Sequence, residues 1–255
     1  MSEAEATKKI RRIQIDAEVL SQLDQKEQAF LITVCHAVSE INTFGRLGFY
    51  SATKEQAEPV LKAAQIHQNL AIIRCLSAKL FELVKLFKDR RYGSSNGKIS
   101  TIYDYANECS VGRELDTSLA SARNIRDFVT NHYDPKRVEK NLAHLADGMD
   151  LDLYLTQPEA NSFTMMGDEV SFTGQFNREF SSRKLSDGES GLGFWWHWTL
   201  EAWRWSREVH NKTVEVLLFD SVVDLRWDDL EVSIPQELIA QTGFTMPIFI
   251  AETQT

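Results

Sequence analysis

The stretch IHQNLAIIRCLSAKLFELVKLF, residues 66–87, decides the fold class. Ile66, Ile73, Leu76, Leu80, Leu83 and Phe87 recur at helical steps. That is the seam of a long helix packed against other helices. Pro59 lies near its start, as a first-turn residue or a kink. Lys85, Lys88, Arg90 and Arg91 crowd its end, where cations suit the negative pole of a helix. The following YGSSNG, residues 92–97, reads as a loop.

Outward from this helix the same period recurs. Upstream, Leu23, Phe30, Val34, Val38 and Ile41 share one face. Gly45 and Gly48 then read as punctuation, with Ser51 or Thr53 as a cap for the next helix. Downstream, Leu115, Leu119, Ala122, Ile125 and Val129 form the stripe of a helical region over residues 102–131, broken near Gly112. Asp134-Pro135 ends that region and opens another helix, with Asp134 as N-cap and Pro135 in the first turn. Val138, Leu142 and Leu145 give the new helix an apolar face.

After Gly148 the pattern changes. Leu151, Leu153 and Leu155 alternate with Asp152 and Tyr154, as in a short strand. Residues 162–166 and 169–173 flank Gly167-Asp168, which predicts a β-hairpin. Polar, glycine-bearing sequence fills 177–191. Trp195, Trp198, Ala202, Trp205 and Val209 then step by three and four, a helix with a tryptophan face, and 214–223 extends it or forms its own helix. Ile234-Pro235 and residues 246–250 read as extended chain. The expectation is one domain over 1–255. It is mainly α, an antiparallel helical bundle with its core at about 17–147, a small β-hairpin insertion at about 150–175, and a tryptophan-rich helix and tail at about 192–255.

Composition narrows the function. Net charge is -9 over 255 residues, which argues against a general nucleic-acid binder but leaves room for a local basic site. Cys35, Cys75 and Cys109 are odd in number and far apart, so neither a disulfide framework nor a cysteine zinc site is supported. His36, His67, His144, His197 and His210 share no metal-ligand spacing, and no phosphate-binding glycine loop or nucleophile elbow occurs. No cofactor or metal is expected. The charged N-terminus and the lack of a long apolar run point to a cytoplasmic protein without a membrane span. Asp150 and Asp152 read as a solvated edge. Trp196 and Trp203 lie off the tryptophan face, where core or interface packing competes with base stacking.

The chemistry concentrates in residues 123–135, RNIRDFVTNHYDP. Arg126 carries a permanent charge with a planar fork, and His132 titrates near neutrality, a minimal kit for a phosphodiester. This spacing resembles the R-x(4-6)-H motif of the HEPN superfamily, all-helical domains that include metal-independent ribonucleases of prokaryotic defence and toxin systems. Asp127 matches the polar residue that often follows the family arginine, and His132-Tyr133-Asp134-Pro135 resembles the ending of one bacterial HEPN-like branch. Asn131 departs from that pattern. The resemblance covers roughly residues 17–147.

It implies an endoribonuclease with Arg126, His132 and Asp127 as catalytic residues. Arg123, Asn131, Tyr133, Lys136 and Arg137 would bind substrate. It also implies a homodimer with an RNA substrate, and a cognate antitoxin or nucleotidyltransferase as candidate partners. Six residues along an ideal helix turn roughly 120°, so Arg126 and His132 converge only if the helix unwinds or a second subunit completes the site. Three alternatives stand beside this. Arg126 could make a surface ion pair while His132 caps a helix end. The fold could serve as a non-catalytic dimerising, nucleotide-binding or partner-binding module. The motif could be accidental in an unrelated helical interaction protein.

Overall fold

The computed structural model describes residues 6–52, 58–113, 115, 119–127, 134–145, 147–155, 162–180, 191–234 and 246–249. Helices carry most of it, as the apolar periodicity predicts. In order, the elements are β1 (Ala6–Ile13), α1 (Ala17–Ser21), α2 (Gln25–Tyr50), α3 (Pro59–Asp89), α4 (Gly97–Ser110), α5 (Leu119–Ile125) and α6 (Pro135–Leu142). Then come β2 (Leu153–Tyr154), β3 (Phe163–Thr164), α7 (Met165–Asp168), α8 (Gly174–Phe180), α9 (Gly191–Val214) and β4 (Trp227–Ile234). π-helical turns over Glu169–Thr173 and Glu215–Phe219 follow α7 and α9.

The centre is built from α2, α3, α4 and α9. Glu40 of α2 meets Lys79 of α3, and Gly48 meets Asn69, so the two helices run antiparallel. α9 runs antiparallel to α2, since Gly45 lies under Trp203 and Cys35 meets His210. The stripes expected from sequence supply the core. Val34, Ile41, Leu80, Ile99, Ile102 and Trp195 are all fully buried. Phe87 packs edge-to-face with Phe30, Tyr103 and Trp205 at centroid distances of 5.6, 5.6 and 5.4 Å. Each indole N–H on the buried tryptophan face finds an acceptor on another part of the chain. Trp195 donates to Ser77 Oγ (2.8 Å), Trp198 to the Leu115 carbonyl (3.0 Å) and Trp205 to the Ala106 carbonyl (2.9 Å). This face is therefore core, and its polar edge fixes how α9 seats.

Several expectations are corrected. Gly45 and Gly48 do not end a helix, because α2 runs through both. A Cβ at Gly45 would enter the Trp203 ring, and one at Gly48 would come within 2.6 Å of Ile73 Cδ1. These glycines allow close helix packing. Ser51 is the C-cap of α2 and does not open α3, whose N-cap is Glu58 with Pro59 in the first turn. Thr53 lies outside the described residues.

The break near Gly112 holds, with φ +79° there after α4 ends at Ser110. Asp134 caps α6 through Lys136 N at 3.1 Å. The apolar face of α6 is not as expected: Leu142 is exposed, Val138 and Leu145 are half-buried, and Asn141 is the buried residue.

A β-hairpin pairing exists, but Gly167-Asp168 is not its turn. Leu153 pairs with Thr164 and Tyr154 with Phe163, while residues 165–180 are helical. Asp168 faces inward to partners on α3, which favours a helix end there over a solvent-facing turn. The polar stretch from residue 177 begins inside α8. β1 and β4 form a second two-stranded antiparallel ribbon that the sequence pattern did not announce. Among the described residues, no helix is long and apolar enough to cross a membrane.

Candidate functional site

α5 lies against α3, with Arg123 in its last turn and Arg126 and Asp127 directly after its end. The Arg126 guanidinium sits 5.4 Å from the centroid of the Phe81 ring and is held from two sides by carboxylates, Glu82 on α3 and its neighbour Asp127. Arg123 Nε approaches the other Asp127 oxygen at 3.5 Å, one turn earlier on the helix. Asp127 is thus shared by two arginines. Arg126 is flanked in turn by Asp127 and Glu82. His132, Asn131 and Tyr133 lie outside the described residues.

α6 and α8 close in beside this group. Arg137 is half-buried, and its guanidinium is held below its ordinary range first by burial and then by the like charge of Arg178 on α8. Glu179, Asp134 and Asp127 oppose that shift. Arg178 donates to Gln175 Oε1 at 2.7 Å, and Glu179 accepts from Asn124 of α5 at 2.5 Å and from Gln175. Arg123 and Arg126 therefore share Asp127, and Arg137 lies near Asp127, Glu179 and the like charge of Arg178. Lys136 is exposed at the first turn of α6 and uses its backbone N–H in the Asp134 cap. Beyond Glu82 a cleft of ≈ 580 Å³ opens along α3, with Lys85, Arg91 and the exposed Tyr92 on its walls.

Sequence reasoning missed Glu82, Arg178 and Glu179. Glu82 stands between Phe81 and Leu83 on the rim of a buried stripe, and a carboxylate in that position was the one available signal. It also missed a second constellation. His67 Nδ1 lies 2.6 Å from Asp168 Oδ2, while Arg74 engages Asp168 Oδ1. His67 and Arg74 are seven apart on α3, hence on one helix face, and that spacing was legible. His67 stacks on Phe163, which stacks on Tyr154 at 4.7 Å. Tyr154 Oη in turn donates to Asp150 Oδ2 at 3.2 Å, so the edge carrying Asp150 anchors the β2–β3 hairpin.

Of the tryptophans off the main face, Trp196 is exposed and Trp203 packs over Gly45. Cys35, Cys75 and Cys109 are free and half-buried. Among the described residues, no group of three or more His, Cys, Asp or Glu side chains is disposed to hold a metal ion. No family model, curated protein or solved structure matches the chain.

Proposed function

We propose that the chain is a metal-independent endoribonuclease of HEPN type, acting in a toxin or phage-defence setting. The observation that carries this reading is that Arg123 and Arg126 share Asp127 while Arg137, itself near Asp127, lies beside Arg178, in a chain whose net charge is -9. Guanidinium groups drawn from several helices to one place are the donors that suit a phosphate anion, which accepts from their planar forks two bonds at a time. In the proposed reaction the RNA 2′-oxygen bonds to the adjacent phosphorus and gives up its proton, and the 5′-oxygen leaves and gains one. His132 carries those protons. Arg126, aimed by Asp127 and Glu82, stabilises the charge that builds on the phosphoryl oxygens. Lys136 and the cleft beyond Glu82 extend the path for the strand, with Tyr92 as a stacking surface.

A second reading is a non-catalytic HEPN-fold module that dimerises or binds a nucleotide or partner. The hold of Glu82 and Asp127 on Arg126 favours it, because a guanidinium already neutralised by two carboxylates needs no phosphate. RNA binding tests the choice. Titration of a single-stranded RNA into wild type and Arg137→Ala should show weaker binding by the variant. The salt dependence should also be shallower by roughly 0.7 in logarithmic slope per phosphate contact removed. Identical affinity and slope in the two proteins, both folded by circular dichroism, would favour the module.

A further inference from the structure

Glu82 stands where the arginine group and the cleft along α3 meet. It pairs with Nη2 of Arg126, and it also lines the cleft. The three neighbours of the Arg126 guanidinium differ in how firmly they are held. Phe81, whose ring it overlies, is buried in the core. The Asp127 side chain is 18% exposed and is shared with Arg123. The Glu82 side chain is 47% exposed, and Arg126 is its one ion-pair partner among the described residues. Exposed ion pairs contribute little, whereas a guanidinium grips a phosphate through two parallel hydrogen bonds.

Lys85 lies three residues further along α3, on the same face as Glu82. It is exposed, lines the same cleft and makes no ion pair among the described residues. Asp89, four residues beyond it, feels its charge but is held by both oxygens to Arg91.

We infer that Glu82 is a latch on Arg126 that a phosphate of the bound strand displaces, and that Lys85 receives Glu82 when it lets go. At rest both η nitrogens of Arg126 are occupied, one by Glu82 and one by Asp127. Displacing Glu82 frees Nη2 for the fork it forms with Nε, while Asp127 and Phe81 keep the guanidinium in place. A carboxylate left unpaired beside the incoming phosphate would repel it, and a swing of Glu82 to Lys85 neutralises that charge. The carboxylate that aims Arg126 in the empty protein is thus also the group that closes it. Two carboxylates on Arg126 then do not exclude a phosphate, because one of them is replaceable. The latch rests on the ribonuclease reading only in taking an RNA phosphate as the ligand of Arg126.

Binding of a single-stranded RNA that is 2′-O-methylated throughout tests it. That strand carries the phosphates but lacks the nucleophile, so binding is read apart from cleavage. Wild type, Glu82→Gln, Arg126→Ala and the double variant are compared at one salt concentration by fluorescence anisotropy. Glu82→Gln should bind roughly 2- to 5-fold more tightly, the scale expected when an exposed competing ion pair is removed. The gain should vanish in the Arg126→Ala background, because the latch acts only through that guanidinium. A general effect of removing negative charge would raise affinity in both backgrounds alike. Lys85→Gln should weaken binding by wild type and leave Glu82→Gln unchanged, whereas a lysine that contacts phosphate directly would weaken both. Glu82 and Lys85 are exposed, so melting curves should stay close to wild type. Equal or weaker binding by Glu82→Gln, a gain that survives Arg126→Ala, or a Lys85→Gln loss that persists without Glu82 overturns the latch alone. Absence of binding by wild type and Glu82→Gln alike overturns the ribonuclease reading and the latch together.

Discussion

Replacing Asp168 by Asn removes one negative charge from a site where it has two cationic or hydrogen-bonding partners. The Asp168 side chain is 6% exposed and Arg74 is 13% exposed. Arg74 also lies 5.5 Å from the Phe172 ring centroid, which cannot replace a carboxylate. The variant therefore leaves a nearly buried guanidinium without its counter-charge, and His67 loses the group that anchors Nδ1. Breaking one side of a buried ion pair typically costs about 3–5 kcal/mol. For a chain of this size 1 kcal/mol shifts Tm by roughly 2–4 °C, so the expected fall is about 6–20 °C. Thermal unfolding followed by circular dichroism reads it directly. Arg74→Met/Asp168→Leu should recover most of the loss, because apolar replacement of a whole buried pair is often neutral. If Asp168→Asn lies within about 1 kcal/mol of wild type, the pair behaves as a surface bridge and the latch between α3 and α7 is not one.

Acid unfolding checks the same contact. Burial pushes the Asp168 carboxyl up, but the hydrogen bond with His67 and the charge of Arg74 outweigh it and hold the group below its ordinary 3.8. The folded state thus binds that proton less readily than the unfolded chain. The stability this provides is present above pH 3.8 and is lost as pH falls through the lower folded value, so wild type should lose its margin over Asp168→Asn in that window. Gly45→Ala should destabilise more than Gly48→Ala in denaturant titrations, since the Trp203 ring is rigid while the end of Ile73 can move. Equal costs would mean that α2 and α9 do not approach as closely as described. Ser77→Ala strands the buried Trp195 indole N–H, with an expected loss of about 1–3 kcal/mol. A neutral result would show that the indole has another acceptor.

The long helices α2, α3 and α9 were legible because each has one buried stripe, as Leu76, Leu80 and Leu83 show, and the start of α6 because Asp134-Pro135 carries its signal locally. What was misread depends on partners far along the chain. Gly45 looks like a helix breaker until Trp203 is placed over it. Gly167-Asp168 looks like a turn until His67 and Arg74 claim the carboxylate. β1 has no apolar alternation strong enough to announce a strand, since Lys8, Lys9, Arg11 and Arg12 crowd it. Its charges find carboxylates more than 200 residues away. Within the candidate site, Arg126 and Asp127 were visible as neighbours. Glu82, Arg178 and Glu179 come from other helices, and only packing brings them there.

The most direct test of the ribonuclease reading is cleavage of single-stranded RNA in the presence of a chelator by wild type, His132→Ala and Arg126→Ala, with the product ends identified. Wild type should cut and leave 2′,3′-cyclic phosphate ends. His132→Ala should lose on the order of 10²- to 10⁴-fold in rate, as expected when a general acid–base group is removed. Arg126→Ala should be comparably impaired, and Arg126→Lys should not rescue it, because lysine lacks the fork that grips two phosphoryl oxygens. Cleavage that stops with the chelator, or that His132→Ala performs as well as wild type, would contradict the account.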